Sequence, residues 1–390
     1  MKQRYYSLDV FRGATVALMI LVNNPGSWSH IYGPFKHADW HGCTPTDLVF
    51  PFFLFAVGNA MAFVMPRLQD AGAAIFWRKV LKRFALIFLI GLLLNWSPFV
   101  KWAGADLVLK HWVDPANPES GIRILGVLQR IALAYLFASI IAFYCRPALA
   151  FVVGSVVLLL YWWLSHTLGS PADPYSLAGF WGTGIDKDLL GVPHMYKGEG
   201  VPFDPEGLVS TLPAIVQVLL GYFAGQYIQQ KGKNYEMLSH LFVAGIVLCA
   251  AGLMWGEVFP INKKIWTSSY VLYTSGLALL ALGMLIYLIE FRQQQGAWSR
   301  FFDAFGKNPL FIFVLSGFLP RVVALFRWVD HTDEQGQPVY ISAFAWFYKY
   351  VCAPVSADPR TGSLLYALVT IAFYWALAYW LDRKKIYIKV

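Results

Sequence analysis

Long apolar runs separated by polar segments dominate the chain. A helix needs about 20 mostly apolar residues to cross a bilayer. Ten runs are predicted to do so: 8–25, 45–65, 80–98, 122–144, 147–166, 209–229, 239–259, 267–290, 305–326 and 362–381. An eleventh run, 340–355, is shorter, contains Lys349 and ends at Pro354, and reads as interfacial or re-entrant.

Loop charge orients these spans. With the N-terminus inside, the first internal loop holds Arg67, Arg78, Lys79, Lys82 and Arg83. The basic tail, Arg383, Lys384, Lys385 and Lys389, also belongs inside, which requires an even number of spans. An eleven-span arrangement would put that tail outside and ranks second. The long loops 24–44, 97–121, 167–208 and 327–361 then lie outside. They are rich in Trp, Tyr, Pro and Gly, which suits ordered turns. Seven of the eight His (His30, His37, His41, His111, His166, His194 and His331) fall on that face.

Composition agrees. The chain of 390 residues is 58% hydrophobic and 14% charged, where a soluble domain carries about 25% charge. That excludes a soluble enzyme, a disordered chain and a nucleic-acid module. The expected fold class is an all-α polytopic membrane protein of about ten transmembrane helices, a single domain over 1–390. Both termini are expected in the cytoplasm and the long loops in the periplasm. The net charge of +9 reads as basic cytoplasmic loops. Cys43, Cys145, Cys249 and Cys352 show no short pairing, so neither a zinc site nor a disulfide framework is expected. No cleavable signal peptide is expected at the start, where Asp9 and Arg12 interrupt the first run.

Ionisable residues inside such runs mark candidate function. Asp9 and Arg12 lie three apart on one helix face, as an ion pair or with Arg12 contacting a cytoplasmic anion. Asn23-Asn24-Pro25-Gly26 ends the first run as a helix stop, one that still offers amides to a cleft. Lys36-His37-Ala38-Asp39-Trp40-His41-Gly42 follows, and His37 falls between two intramembrane polar groups, Asn23 and Asp47, a setting for acid–base work. His37 and His41 are four apart without a Glu in register, among Gly and Pro, so no metal is expected. Thr44 and Pro45 read as N-cap and first helical residue, with Asp47 in the first turn. Asp47 equally suits orienting an imidazole.

Gln129-Arg130 sits within the fourth run, where an Arg needs a partner or a water-filled cavity. Arg78, Lys79, Lys82 and Arg83 suit acidic lipid or the phosphates of a nucleotide-like ligand. Lys307-Asn308-Pro309 opens the ninth run on the same side. Outside, Asp204-Pro205-Glu206-Gly207 and Asn262-Lys263-Lys264 precede the sixth and eighth runs, capping helices or holding a cationic or hydroxylated ligand. These residues alone leave two readings, a transporter or an enzyme acting across the membrane.

Several of these segments resemble the heparan-α-glucosaminide N-acetyltransferase family in the same order. They are Ser7-Leu8-Asp9-Val10-Phe11-Arg12-Gly13, Leu18-Met19-Ile20-Leu21-Val22-Asn23, Phe35 to Gly42, and Asp47-Leu48-Val49-Phe50-Pro51-Phe52-Phe53. Gly126-Val127-Leu128-Gln129-Arg130-Ile131, Asp204 to Gly207, Pro260 to Trp266 and Arg383-Lys384-Lys385-Ile386 continue the resemblance to the C-terminus. The eukaryotic members acetylate the terminal glucosamine of heparan sulfate in the lysosome from cytosolic acetyl-CoA. Their N-terminal luminal domain and additional first span are not expected here. It looks more like the short bacterial relatives associated with N-acetylglucosamine use, in the inner (cytoplasmic) membrane.

The resemblance implies acetyl-CoA as co-substrate, no metal, and glucosamine or a glucosamine-ended glycan as acceptor at the periplasmic face. The family's essential His aligns with His37 and its partner Asn with Asn23, although the segment between them is three residues longer here. Asp47 is expected to orient His37. Arg12, Lys82, Arg83, Lys307 and Asn308 are expected on CoA, with Arg130 along the path of its arm. Asn24, Trp40, Asp204, Glu206 and Lys263 are expected on the acceptor. Other partners are membrane lipid and a second copy of the chain, not nucleic acid. The alternative is a secondary transporter or permease for an amino sugar.

Overall fold

The computed structural model describes residues 5–104 and 106–388; Lys389 of the basic tail lies outside the described residues. The helices are α1 (Tyr6–Asn23), α2 (Val49–Ala71), α3 (Ala73–Trp96), α4 (Val127–Tyr144), α5 (Pro147–Leu168), α6 (Gly182–Leu190) and α7 (Thr211–Lys231). They continue with α8 (Tyr235–Gly256), α9 (Ser268–Ile286), α10 (Ala297–Lys307), α11 (Pro309–Val323), α12 (Ala343–Phe347) and α13 (Pro359–Arg383). Their ends follow local chemistry. Pro147 opens α5, where its missing N–H costs nothing. Gly232 closes α7 at φ 67°, a conformation glycine adopts without strain.

By length and composition, eight helices among the described residues can cross a bilayer: α1, α2 with its 3-10 start from Pro45, α4, α5, α7, α8, α9 and α13. Two expected spans differ. The run at 80–98 lies in α3, whose first half carries Arg78, Lys79, Lys82 and Arg83, too much charge for a span of this kind. The run at 305–326 is not one helix. α10 and α11 meet at Asn308-Pro309 with a bend of 78° and make a ninth span only as a pair. Proline has no N–H to bond back to the preceding turn, so the helix restarts there. The segment 343–355 is a short irregular series of turns, too short to cross.

The chain is mostly helical, as expected, with little sheet. Among the described residues the loops hold three two-stranded antiparallel sheets. β1 (Val100–Ala103) pairs with β2 (Asp106–Leu109), β3 (Val113–Asp114) with β4 (Asn117–Gly121), and β5 (Arg327–Thr332) with β6 (Pro338–Ser342). These strands are short, and they lie in the long loops whose Trp, Tyr, Pro and Gly read as ordered turns.

The most extensive packing is of α2 on α7, α8 on α9 and α1 on α10. α2 and α7 approach so closely that a Cβ on Gly58 would lie 1.8 Å from the Val218 carbonyl oxygen, and one on Gly221 2.1 Å from that of Phe55. In a bilayer, where lipid is as apolar as leucine, such small-residue contacts let backbones pack tightly. α5, α8 and α13 instead turn Val152, Leu159, Ile246, Val247 and Leu368 outward, the surface a lipid environment covers. The core between them is polar in places. Gln217 donates to Ser275 Oγ at 2.8 Å, and the buried Tyr270 hydroxyl donates to the Asp47 carbonyl oxygen at 2.6 Å, tying α9 to the start of α2.

Candidate active site

At the end of the bundle where α1 stops, three loops and the residues before α4 converge. Segment 36–47 is folded by its own polar groups. Thr44 Oγ1 donates to the Lys36 carbonyl at 2.6 Å, and the Gly42 N–H to the Ile261 carbonyl at 2.7 Å. Thr44 caps the 3-10 turn Pro45–Leu48 in a reciprocal box with Asp47, as the Thr-Pro-x-Asp pattern suggests. Segment 261–266 is held by Asn262, whose Oδ1 accepts from the Ile265 N–H at 3.0 Å and whose N–H donates to Thr267 Oγ1 at 3.0 Å.

These loops bring His37, Asp47 and Lys263 together. His37 Nδ1 is 2.6 Å from Asp47 Oδ1. Asp47 is 1% exposed, and its Oδ2 accepts from the Ala38 and Thr44 N–H groups at 3.0 and 3.1 Å, with Thr44 Oγ1 3.1 Å away. A carboxylate so surrounded by donors is ionised and accepts only, so Nδ1 carries the proton and Nε2 is left with its lone pair. Lys263 Nζ lies 3.1 Å from His37 Nδ1 and 3.4 Å from Asp47 Oδ1. With Nδ1 protonated, Lys263 acts there as a neighbouring charge and not as a hydrogen-bond donor to the ring. Burial pushes the Lys263 ammonium below its ordinary value, with Asp47 and Glu206 opposing.

His37, Asp47 and Lys263 line a cavity of about 220 Å³ with Trp40, Arg123 and Glu206. Trp40 is fixed by its indole N–H on the Tyr175 carbonyl at 2.8 Å. Lys264 clasps two loops, donating to Glu199 at 2.7 Å and to the Asp39 carbonyl at 2.8 Å. Arg123 donates to Asp204 at 3.0 and 2.5 Å and also to Glu206. Burial opposes its charge, but Glu206 and Asp204 outweigh that and hold it firmly protonated. Asp204, expected on the acceptor, is 1% exposed and serves Arg123 instead. Behind this turn, burial pushes the Asp186 carboxyl up to about 6, while it accepts the Leu208 N–H at 2.9 Å.

A second cavity, of about 240 Å³, adjoins the first through Arg123, which lines both. Asn23 and Asn24 line this one and not the His37 cavity. Asn24 Nδ2 is committed to the Ile20 carbonyl at 2.9 Å. Arg130 lines neither. It is fully buried in α4 and donates to the Gly207 carbonyl at 3.1 Å and to Ser210, its guanidinium 5.1 Å from the Trp266 ring. It thus holds the turn that carries Glu206 and the Trp266 wall of the first cavity.

At the opposite end, Arg12 pairs with Asp9 and lines a cavity of about 330 Å³ with Asn59 and Arg67. Lys307 is paired twice, with Asp303 at 2.7 Å and Asp382 at 2.9 Å. Asn308 holds the C-terminal tail, donating to the Ile386 carbonyl at 3.0 Å and accepting the Ile388 N–H at 2.8 Å. Lys82 is exposed on α3, and Arg83 lies 4.7 Å over the Tyr135 ring. The sequence reading does not single out Arg123 or Glu199, and it names Lys264 only within Asn262-Lys263-Lys264. For Arg123 the available signal was a lone cation just before the Gly126–Ile131 motif.

A family model described as "Heparan-alpha-glucosaminide N-acetyltransferase, catalytic" matches residues 4–254. The heparan-alpha-glucosaminide N-acetyltransferases of Homo sapiens and Mus musculus are each 26% identical to this chain across 99% of its length. The chain spans 60% of the length of these relatives. With more than half of it matched, the chain belongs to the heparan-alpha-glucosaminide N-acetyltransferase family.

Proposed function

We propose that this chain is a transmembrane N-acetyltransferase. It moves the acetyl group of cytoplasmic acetyl-CoA to the amino group of glucosamine, or of a glucosamine-ended glycan, at the periplasmic face of a bacterial inner membrane. The observation that carries the reading is the His37–Asp47 pair at 2.6 Å, its free Nε2 at a cavity walled by Trp40 and Glu206.

An amino sugar is mostly ammonium at neutral pH; that first proton goes to bulk water before the amine attacks, and a base takes the second from nitrogen as the C–N bond forms. His37 Nε2 is that base. Asp47 holds the ring's tautomer and balances the imidazolium that forms. Lys263 disfavours an ammonium next to it and so favours the neutral amine. The amine lone pair adds to the thioester carbonyl carbon, forming the C–N bond, and the carbonyl π pair moves onto oxygen. That pair returns, the C–S bond breaks, and His37 passes the amine's proton to the departing thiolate. Asn23 donates its amide toward the oxyanion.

The inner end suits an anionic donor. The cavity beside Arg12 and Arg67 includes Asn59, whose buried amide nitrogen has no partner among the described residues. Lys82 and Arg83 add charge on α3. Lys307 and Asn308 are left out of this role, because Lys307 is neutralised by Asp303 and Asp382, and Asn308 is spent on the tail.

Detergent-solubilised protein given acetyl-CoA and glucosamine is expected to yield N-acetylglucosamine by mass spectrometry, and acetyl-CoA is expected to raise its Tm. No product from any amino sugar, with no rise in Tm, would overturn the reading.

A further inference from the structure

The second cavity has a use of its own. Its wall includes the first turn of α4, Gly126 to Gln129. The first intrahelical bond of α4 runs from the Arg130 N–H to the Gly126 carbonyl at 2.9 Å. The N–H groups of Val127, Leu128 and Gln129 therefore have no acceptor within the helix, and the dipole of this 18-residue helix favours negative charge at that point. The Gln129 side chain is 1% exposed, and its Nε2 has no hydrogen-bond partner among the described residues. A buried donor left unsatisfied is costly unless something else fills its place. The other edge of the amide is packed tightly: a Cβ on Gly91 would lie 2.5 Å from Gln129 Oε1. Leu94, Val127 and Phe313 give the cavity an apolar side, and Asn23, Asn95 and Arg123 a polar one.

Orphan donors at a cavity wall suit an oxygen that gains negative charge during reaction, and Arg123 and Arg321 on the same wall add positive charge there. Arg123 joins this cavity to the one holding His37, so a carbonyl here adjoins an amine there. We propose that this second cavity receives the thioester carbonyl of the acyl donor, with Gln129 Nε2 and the first-turn amides of α4 as its oxyanion donors. The inference rests on the acyltransferase reading and adds Gln129 to it as a catalytic residue. When the amine lone pair forms the C–N bond, the carbonyl π pair shifts to the oxygen that these donors hold. The pair returns as the C–S bond breaks, and the thiolate leaves with the proton His37 took from nitrogen.

The test uses acetyl-CoA carrying a ¹³C-labelled thioester carbonyl, bound to full-length protein in detergent without acceptor and followed by infrared difference spectroscopy. The carbonyl band is expected to move to lower wavenumber on binding to the wild type, and most of that move is expected to vanish in Gln129→Leu. Turnover is expected to fall about 10²–10³-fold with acceptor KM unchanged. Gly91→Ala, which pushes the same amide from behind, serves if Gln129→Leu does not fold, and is expected to shrink the band shift in the same direction. A band shift retained in whichever variant folds overturns the proposal. Binding by the wild type, shown by a rise in Tm, with an unmoved carbonyl band overturns this inference alone. No binding of acetyl-CoA at all overturns the acyltransferase reading and this inference with it.

Discussion

Two polar clusters lie at opposite ends of the bundle, and they differ in what their charges have left to offer. At the end where α1 starts, Lys307 is consumed by Asp303 and Asp382, and Arg12 is paired to Asp9. These pairs bind α10 to α13 and set the first turns of α1. At the end where α1 stops, Asp47 is equally saturated, yet it leaves His37 Nε2 free beside a cavity that Glu206 and Lys263 also line. The lesson is that a buried charge signals function only when a group next to it keeps spare hydrogen-bonding capacity facing open space. Counting cations along the chain does not see that difference.

Substitutions separate the two ends. The largest effect is expected from His37→Ala, which should cut transfer about 10²–10⁴-fold while the rise in Tm with acetyl-CoA persists. Asp47→Asn comes next, at about 10²-fold or somewhat more, because an amide no longer dictates which ring nitrogen carries the proton. Initial rates by mass spectrometry check both. Asp186→Asn probes the His37 end from behind. The Asp186 carboxyl, raised to about 6, faces Arg130, Asp204 and the Leu208 amide. Charging it costs more in the fold than in the unfolded chain, where the value is about 3.9. Its protonation stabilises the fold below about pH 4, and that contribution is lost as pH rises to about 6, up to about 3 kcal/mol. Tm against pH should show this slope in the wild type and lose it in Asp186→Asn. The smallest effect is expected from Lys307→Met. It should lower stability by about 1–3 kcal/mol by leaving Asp303 and Asp382 unpaired, with turnover of the folded fraction unchanged. A large loss of turnover there would break the comparison.

Much of the fold was legible in the apolar runs, because their length is set by the membrane and needs no partner to be recognised. The α3 and α10–α11 regions were not. A cationic half-helix and a bend at Asn308-Pro309 both sit inside runs whose average hydropathy still reads as a span. The three hairpins were missed because their strands are two to six residues long. At the site, His37 and Asp47 were legible as a histidine followed ten residues later by a carboxylate at a helix start. Lys263 was legible as a residue near the acceptor but not as a neighbour of the imidazole, since 226 positions of chain separate it from His37. Arg130 illustrates the opposite case. Its depth in α4 was readable, but its contacts with Gly207, Ser210 and Trp266 depend on how the 204–210 turn folds back.

The central claim, that an acetyl group supplied at one face is received at the other through the His37 cavity, is met most directly in proteoliposomes of known orientation. With acetyl-CoA confined to the side of the α1 start and glucosamine to the opposite side, N-acetylglucosamine should appear with the glucosamine, and His37→Ala should abolish it. Product only when both substrates share one side, glucosamine crossing unchanged without acetyl-CoA, or full transfer by His37→Ala would contradict the account.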